Sequence, residues 1–260
     1  MRRVHYLLLR RRENDFSFFL LFVCRFKLIQ PIELYFQSWS KDDKHISAPN
    51  VVELINQFNR FSVWIGSEIV TCINLKRRIA LLKLFISTAW CAYGYRDYET
   101  TFMIAQSLNQ FAVERLSETW KGLDDETKQK WETLQKFTSV RSNYKNYRQH
   151  MKKMFQTSKS HQNVLPYFGL FLRDLTAIEE ASSVDKKGAV NFHKMRLVAA
   201  VIEDVQRAQK SIFNFEKDLA LVSYLMLGTK QLDEDTMDAE SRKREPKSDF
   251  KSPKLEALLS

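Results

Sequence analysis

From Asn50 to Cys72 the apolar residues Val51, Leu54, Phe58, Phe61, Ile65 and Ile69 follow one another at three- and four-residue steps. That spacing draws a stripe along one face of an α-helix, whereas a strand buries every second residue. Trp64 thickens the stripe, and Pro49 stands where the first turn of a helix tolerates a missing N–H. The same rhythm predicts a helix over about Leu75–Tyr93, through Ile79, Leu82, Phe85, Ile86 and Ala89, and another over about Glu99–Asn109, through Phe102, Ala105 and Leu108. No segment alternates as a sheet requires, and the 260 residues include only six Gly and five Pro, so the predicted fold class is all-α. A chain of this length buries one sizeable core or two small ones.

Two further helices are predicted back to back between Pro166 and Gln209. The first, about Gly169–Ala181, sets Leu170, Phe171, Leu172, Leu175 and Ile178 among Arg173, Asp174, Glu179 and Glu180. The second, about Phe192–Phe213, carries Leu197, Val198, Val201, Ile202 and Val205, and the polar run Ser182–Lys187 with Gly188 makes the turn. Thr176 and Glu180 are four residues apart, so they project from one face, with Arg173 a turn earlier. On periodicity alone this is an antiparallel helix pair with a solvated charged face.

The ends of the chain read differently. Met1–Arg12 is rich in arginine, and the apolar run Phe16–Ile29 is broken by Arg25 and Lys27. It falls short of the roughly 18 uninterrupted residues a bilayer span needs and has no small-residue cleavage site, so a core helix behind an irregular tail is predicted. Phe215–Leu227 reads as a last helix. Beyond Gly228 charges crowd and Pro246 and Pro253 appear, which predicts a disordered tail.

The net charge of +10 is unevenly spread. Between Thr133 and Arg173 there is no Asp or Glu, while Lys136, Arg141, Lys145, Arg148, Lys152, Lys153 and Lys159 are interleaved with Tyr144, Tyr147 and Phe155. A solvated basic helix and a partner-facing patch both fit this stretch. No zinc finger, RNA-recognition or Walker signature accompanies it, so nucleic acid is not expected. Cys24, Cys72 and Cys91 lack paired spacing, which predicts reduced thiols with neither disulfide nor metal site. The five histidines are scattered, and no GxSxG, HExxH or glycine-rich phosphate loop is present. Covalent chemistry and a bound cofactor are therefore not expected.

Six ordered blocks carry a family resemblance: SWSKDDKHISAPN, QFNRFSVWIGSEIV, RRIALLKLFISTAWC, FAVERLSETWKGL, SNYKNYR, and the pair PYFGLFLRDLTAIEE and VNFHKMR. From about Gln30 to Phe213 the chain resembles the catalytic domain of Ras-type guanine nucleotide exchange factors, the RasGEF family. SETWKGL and VNFHKMR are similar to its Rap-directed branch. The resemblance implies an all-helical bowl over residues 30–228 with a protruding helical hairpin, an atypical N-terminal segment over 1–29 and a tail over 229–260. It implies a cytoplasmic protein, recruited to the inner membrane surface through its basic stretch, whose partner is a Ras or Rap small GTPase preferred without nucleotide.

By the same resemblance, Glu180 stands where a carboxylate engages the GTPase phosphate-binding loop. Thr176 stands where a side chain intrudes on the magnesium site, a position at which the family often has an aliphatic residue. Ile55, Asn56, Phe102, Asn109, Asn143, Tyr144, Tyr167 and Arg173 correspond to the groove that holds the second switch segment, and Trp39 to a residue packed inside the domain. The chain departs from the family pattern in three places. Met1–Lys27 does not resemble the family's first helix, the bracing companion domain has no counterpart, and Ala181 replaces a frequent glycine. Two other functions remain open at this stage: an exchange-impaired GTPase-binding module, and a basic helical scaffold at membranes or nucleic acid.

Overall fold

The computed structural model describes residues 17–157, 163–182, 184, 189–213, 223, 225, 226, 229 and 231–246. The arginine-rich N-terminus, Lys159, most of the turn with Gly188, nearly all of the Phe215–Leu227 segment and Pro253 lie outside them. The fold is all-α, and the described residues form only two isolated β-bridges, Asp97 with Leu165 and Val184 with Val190.

Helix α1 (Ser17–Phe26) leads into a 3-10 segment (Pro31–Ser40) and the short α2 (Lys44–Ser47). The long helices α3 (Pro49–Thr71) and α4 (Leu75–Gly94) follow, and then α5 (Tyr98–Leu108). Two short turns, α6 (Phe111–Glu114) and α7 (Ser117–Lys121), precede α8 (Asp125–Thr138) and α9 (Arg141–Thr157). The chain then forms α10 (Phe168–Glu179), α11 (Phe192–Gln209) and α12 (Glu234–Arg244).

The stripe on α3 becomes the centre of the core, with Val51, Leu54, Phe61, Trp64, Ile65 and Ile69 all buried. Phe22 of α1 meets Phe61 edge-on at 6.0 Å, and Trp64 meets Phe85 of α4 likewise at 6.0 Å. Edge-to-face pairs add to what area burial alone contributes. Helix α5 packs against α3, α4 and α8, so Thr100, Thr101 and Ser107 are buried along with its apolar residues. Buried polar groups need partners: the Thr101 hydroxyl donates to the Asp97 carbonyl at 2.7 Å and Ser107 donates to the Ser62 carbonyl at 2.7 Å.

Glu33 ties the 3-10 segment to α3. Its buried carboxylate accepts from the Gln30 amide, from both the amide and the side chain of Asn50, and from the Val51 amide, at 2.8 to 3.1 Å. One side chain thereby satisfies orphan donors at two helix starts. The segment is not a regular helix. Phe36 and Gln37 adopt left-handed backbone at φ 50° and 52°, which breaks it in the middle.

At the N-terminal end, the apolar run read as a core helix does form one: α1 buries Phe22, Val23 and Phe26 in the main core. At the other end, the tail expected to be disordered contains α12, packed on α3 and α6. Its anchors are mostly polar, which is why apolar patterning missed them. Ser241 and Glu245 are buried, and the Glu245 carboxylate accepts from the Glu118 amide (2.9 Å), the Thr119 amide (3.1 Å) and hydroxyl (2.8 Å), and Arg78 Nη2 (3.2 Å). Burial opposes ionisation of Glu245, yet these donors prevail and hold its carboxyl below the usual range. Asp233 caps the start of α12 by accepting from the Thr236 amide at 2.8 Å.

Candidate functional site: a helical hairpin and the aromatic cluster beside it

Helices α10 and α11 fold back on one another with Leu170, Leu175, Val198 and Val205 buried. Asn191 closes the turn: its Nδ2 donates to the Ser182 carbonyl at 2.9 Å, and its Oδ1 accepts from the Lys194 amide at 3.1 Å. Lys194 is only 2% exposed, and its Nζ donates to Glu179 Oε2 at 2.6 Å and to the Ala181 carbonyl at 2.9 Å. These bonds straddle Glu180. Successive residues of a helix are turned by about 100°, so Glu179 can face the partner helix while Glu180, at the C-cap, is exposed. Among the described residues the Glu180 carboxylate has no hydrogen bond or ion pair. Thr176, one turn earlier, is also exposed, and its hydroxyl donates back to the Leu172 carbonyl at 2.9 Å.

The base of the hairpin is clamped from below. The Phe168 amide donates to Glu99 Oε2 of α5 at 2.7 Å, and the Tyr167 amide donates to the Tyr147 hydroxyl of α9 at 3.0 Å. Glu99 is 3% exposed; burial pushes its carboxyl up to about 8, only partly offset by the Phe168 amide. Burial likewise pushes neighbouring Asp97 up to about 7 and raises the hydroxyls of Tyr147 and Tyr167. On the other side, the Tyr35 hydroxyl of the 3-10 segment donates to Met195 Sδ at 3.6 Å, and Gln209 Nε2 donates to the carbonyls of Phe26 and Ile29 at 2.8 and 2.9 Å. The hairpin is therefore braced by α1 and the 3-10 segment of this chain.

Beside the hairpin, an aromatic cluster joins residues that are far apart in sequence. Phe102 of α5 stacks on Tyr167 with centroids 4.1 Å apart, and Tyr144 of α9 is 6.0 Å from each of them. The Arg173 guanidinium of α10 lies 5.4 Å from the Tyr144 ring, within cation–π range. Phe58 of α3 reaches Tyr167 at 5.9 Å, so that end of α3 borders the cluster; Ile55 there is half-buried against the core and Asn56 is exposed. Trp39 also packs against the core.

Asn143 and Tyr144 do not continue a helix from Arg141, as the sequence suggests. Ser142, Asn143 and Tyr144 form a left-handed turn at φ 50°, 56° and 58°. Asn109 is not joined to the aromatic cluster. Its Nδ2 donates to the Ala105 carbonyl at 2.8 Å, and its Oδ1 accepts from Gln135 Nε2 at 3.4 Å.

Sequence reasoning missed Glu99, Tyr147, Lys194 and Asp174. For Glu99 a signal existed: it is the one charged residue in the sequence of α5. The bases Lys145, Lys152 and Lys153 are exposed on α9. Among the described residues no three His, Cys, Asp or Glu side chains could hold a metal ion, and no helix is long and apolar enough to cross a membrane.

The family model that matches is the RasGEF domain, over residues 18–196. The match begins inside α1, upstream of the boundary at residue 30 read from the sequence. The Ras guanine nucleotide exchange factor Q of Dictyostelium discoideum is 32% identical over 200 residues, 77% of this chain and 15% of that protein. The Ras guanine nucleotide exchange factor M of the same organism is 33% identical over 214 residues, 76% of this chain and 22% of that protein. The Ras-specific guanine nucleotide-releasing factor 1 of Homo sapiens is 29% identical over 223 residues, 85% of this chain and 17% of that protein. The chain thus spans less than a quarter of the length of each of these relatives.

Proposed function

Because the chain belongs to the RasGEF domain family, we propose that it accelerates GDP release from a Ras-family small GTPase, of the Ras or Rap type, with the α10–α11 hairpin entering beside the nucleotide. The observation that carries this reading is the division of labour between adjacent acids. Glu179 is held by buried Lys194, while Glu180 is exposed at the helix end, four residues from exposed Thr176.

Bound nucleotide is held through its phosphates and Mg²⁺, so a release catalyst must weaken those contacts and substitute its own. Glu180 supplies a negative group to the phosphate-binding loop, competing with phosphate for the same amide donors and lysine. Thr176 enters the region of the ion. With its hydroxyl proton directed to the Leu172 carbonyl, it resembles the aliphatic residue often found there more closely than its composition implies. The aromatic cluster of Phe102, Tyr144 and Tyr167, with Arg173 over it, offers an apolar floor and a cationic rim to a switch segment, the arrangement in which interfaces concentrate their energy.

Exchange obeys linkage. Whatever the hairpin subtracts from nucleotide affinity, nucleotide subtracts from affinity for the hairpin. A thousandfold effect corresponds to about 4 kcal/mol, so abundant GTP expels the protein once GDP has left.

The test is release of fluorescent GDP from loaded Ras and Rap by the full chain and by Glu180→Ala and Tyr144→Ala. Acceleration that falls at least about tenfold in both variants, the loss of one or two charge-assisted or buried aromatic contacts, is the expected outcome. Binding without release would instead assign an exchange-impaired GTPase-binding module, and absence of binding would end the proposal.

A further inference from the structure

Arg148 of α9 has no part in the mechanism above, yet its guanidinium joins two elements of the site. Nη1 and Nη2 donate to the two carboxylate oxygens of Asp174 on α10, at 2.9 and 2.6 Å. Nε donates to the Asn143 carbonyl at 2.9 Å, and Nη2 also reaches Asn143 Oδ1 at 3.3 Å. A planar fork of donors fits a carboxylate bidentately and still has Nε to spare, which a lysine ammonium cannot reproduce.

What Arg148 grips is strained. Asn143 is the middle of three consecutive non-glycine residues in left-handed backbone, Ser142, Asn143 and Tyr144. L-residues avoid that region because Cβ crowds the backbone, and such strain persists only where surrounding contacts over-determine it. The turn's own amide bond is long, from Tyr144 to the Val140 carbonyl at 3.4 Å. Outside help comes from Arg148 and from Asn146, whose Nδ2 donates to the Lys136 carbonyl at 2.7 Å.

Tyr144 emerges from this turn into the aromatic cluster, under Arg173. Arg173 and Asp174 are neighbours on α10, so the hairpin reaches the turn twice, once through each side chain. Other charged groups do not compete for the Arg148–Asp174 contact at hydrogen-bonding distance among the described residues.

We propose that Arg148 is a positioning residue that latches the hairpin to the left-handed turn, so that the placement of α10 and the presentation of Asn143 and Tyr144 change together. Its kinetic consequence rests on the exchange reading given above, whereas its structural consequence does not. The pair is about one-third exposed, with side chains at 35% and 30%, which places the effect near the lower end for charge-assisted bonds, roughly tenfold.

Two measurements on the full chain test it with Asp174→Asn, Asp174→Ala, Arg148→Ala and the double variant Arg148→Ala/Asp174→Ala. In amide hydrogen exchange, Asp174→Ala and Asp174→Asn raise the exchange of the 141–148 peptide roughly tenfold although the substituted residue lies on another helix, while circular dichroism confirms an unchanged fold. In GDP release from Ras, each single variant lowers kcat more than it changes KM, and the double variant is no worse than the weaker single one, as a shared contact requires. Unaltered protection of 141–148 in the Asp174 variants, or additive single effects, overturns the proposal. If the wild-type chain releases no nucleotide, the exchange reading fails while hydrogen exchange still decides whether the latch exists.

Discussion

The carboxyl of Glu99 makes the stability of the hairpin base depend on pH in a direction opposite to that of an ordinary surface acid. It sits at 3% exposure under the first amide of α10 and is pushed by burial from 4.5 to about 8. At about 1.4 kcal/mol per tenfold change in proton affinity, that gap corresponds to roughly 5 kcal/mol. Because the folded state holds this proton more tightly than the unfolded chain, the contribution is fully present below about 4.5 and is lost as pH rises through about 8. Asp97, pushed up to about 7, acts in the same sense. The charge of Asp97 is only a minor upward influence on Glu99, and burial alone raises Asp97, so the Asp97 contribution persists when Glu99 is replaced. The perturbation is Glu99→Gln, which keeps an oxygen for the Phe168 amide and removes the titration. Thermal melts from pH 5 to pH 9 at fixed ionic strength measure it. For a domain of this size about 2 to 4 °C accompanies each kcal/mol, so the wild-type melting temperature falls on the order of 10 °C over that range while the variant's falls less. Parallel pH profiles for the two proteins would refute the reasoning, because they would mean that Glu99 is ionised at no cost.

Two other predictions concern buried charges. Lys194→Met removes the donor that holds Glu179 and the Ala181 carbonyl; a loss of about 3 kcal/mol in urea unfolding is expected, together with a fall in GDP release comparable to that of Glu180→Ala. Unfolding energies within about 0.5 kcal/mol of wild type would show that this ion pair does not hold the hairpin closed. Glu245→Ala strips Arg78 and two amides of α7 of their acceptor. A loss of about 3 to 5 kcal/mol is expected, read as a lower urea midpoint with an unchanged slope; a midpoint indistinguishable from wild type would mean the C-terminal helix is not part of the folded unit.

The parts of the fold that were legible in the sequence are those whose information is periodic. The helix read over Asn50–Cys72 forms over Pro49–Thr71, that over Leu75–Tyr93 forms over Leu75–Gly94, and that over Glu99–Asn109 forms over Tyr98–Leu108. In each, a stripe of apolar residues fixed both the element and the side it buries. Features held by one long-range polar contact were not legible. The left-handed turn at Ser142–Tyr144 reads as helix because nothing local opposes that, and the contact that sustains it comes from Arg148. Helix α12 has almost no apolar stripe, and its place is set by Ser241 and Glu245 meeting groups on α6 and α7 far back in the chain. Within the hairpin, spacing placed Thr176 and Glu180 on one face, but the inward role of Glu179 required knowing that Lys194 would be buried against it.

The two acids at the end of α10 also make that rod a device for keeping count. A helix advances by a fixed angle per residue, so one residue more or fewer between Phe168 and Glu179 would swing the tip through more than a quarter of a turn. The acid that plugs the ammonium would then swing outward, and Thr176 would leave the face it now occupies. Substitutions along the outer side leave this indexing intact, whereas a single-codon insertion scrambles it while every side chain is retained. The length of the rod, and not only its chemistry, is therefore part of the site.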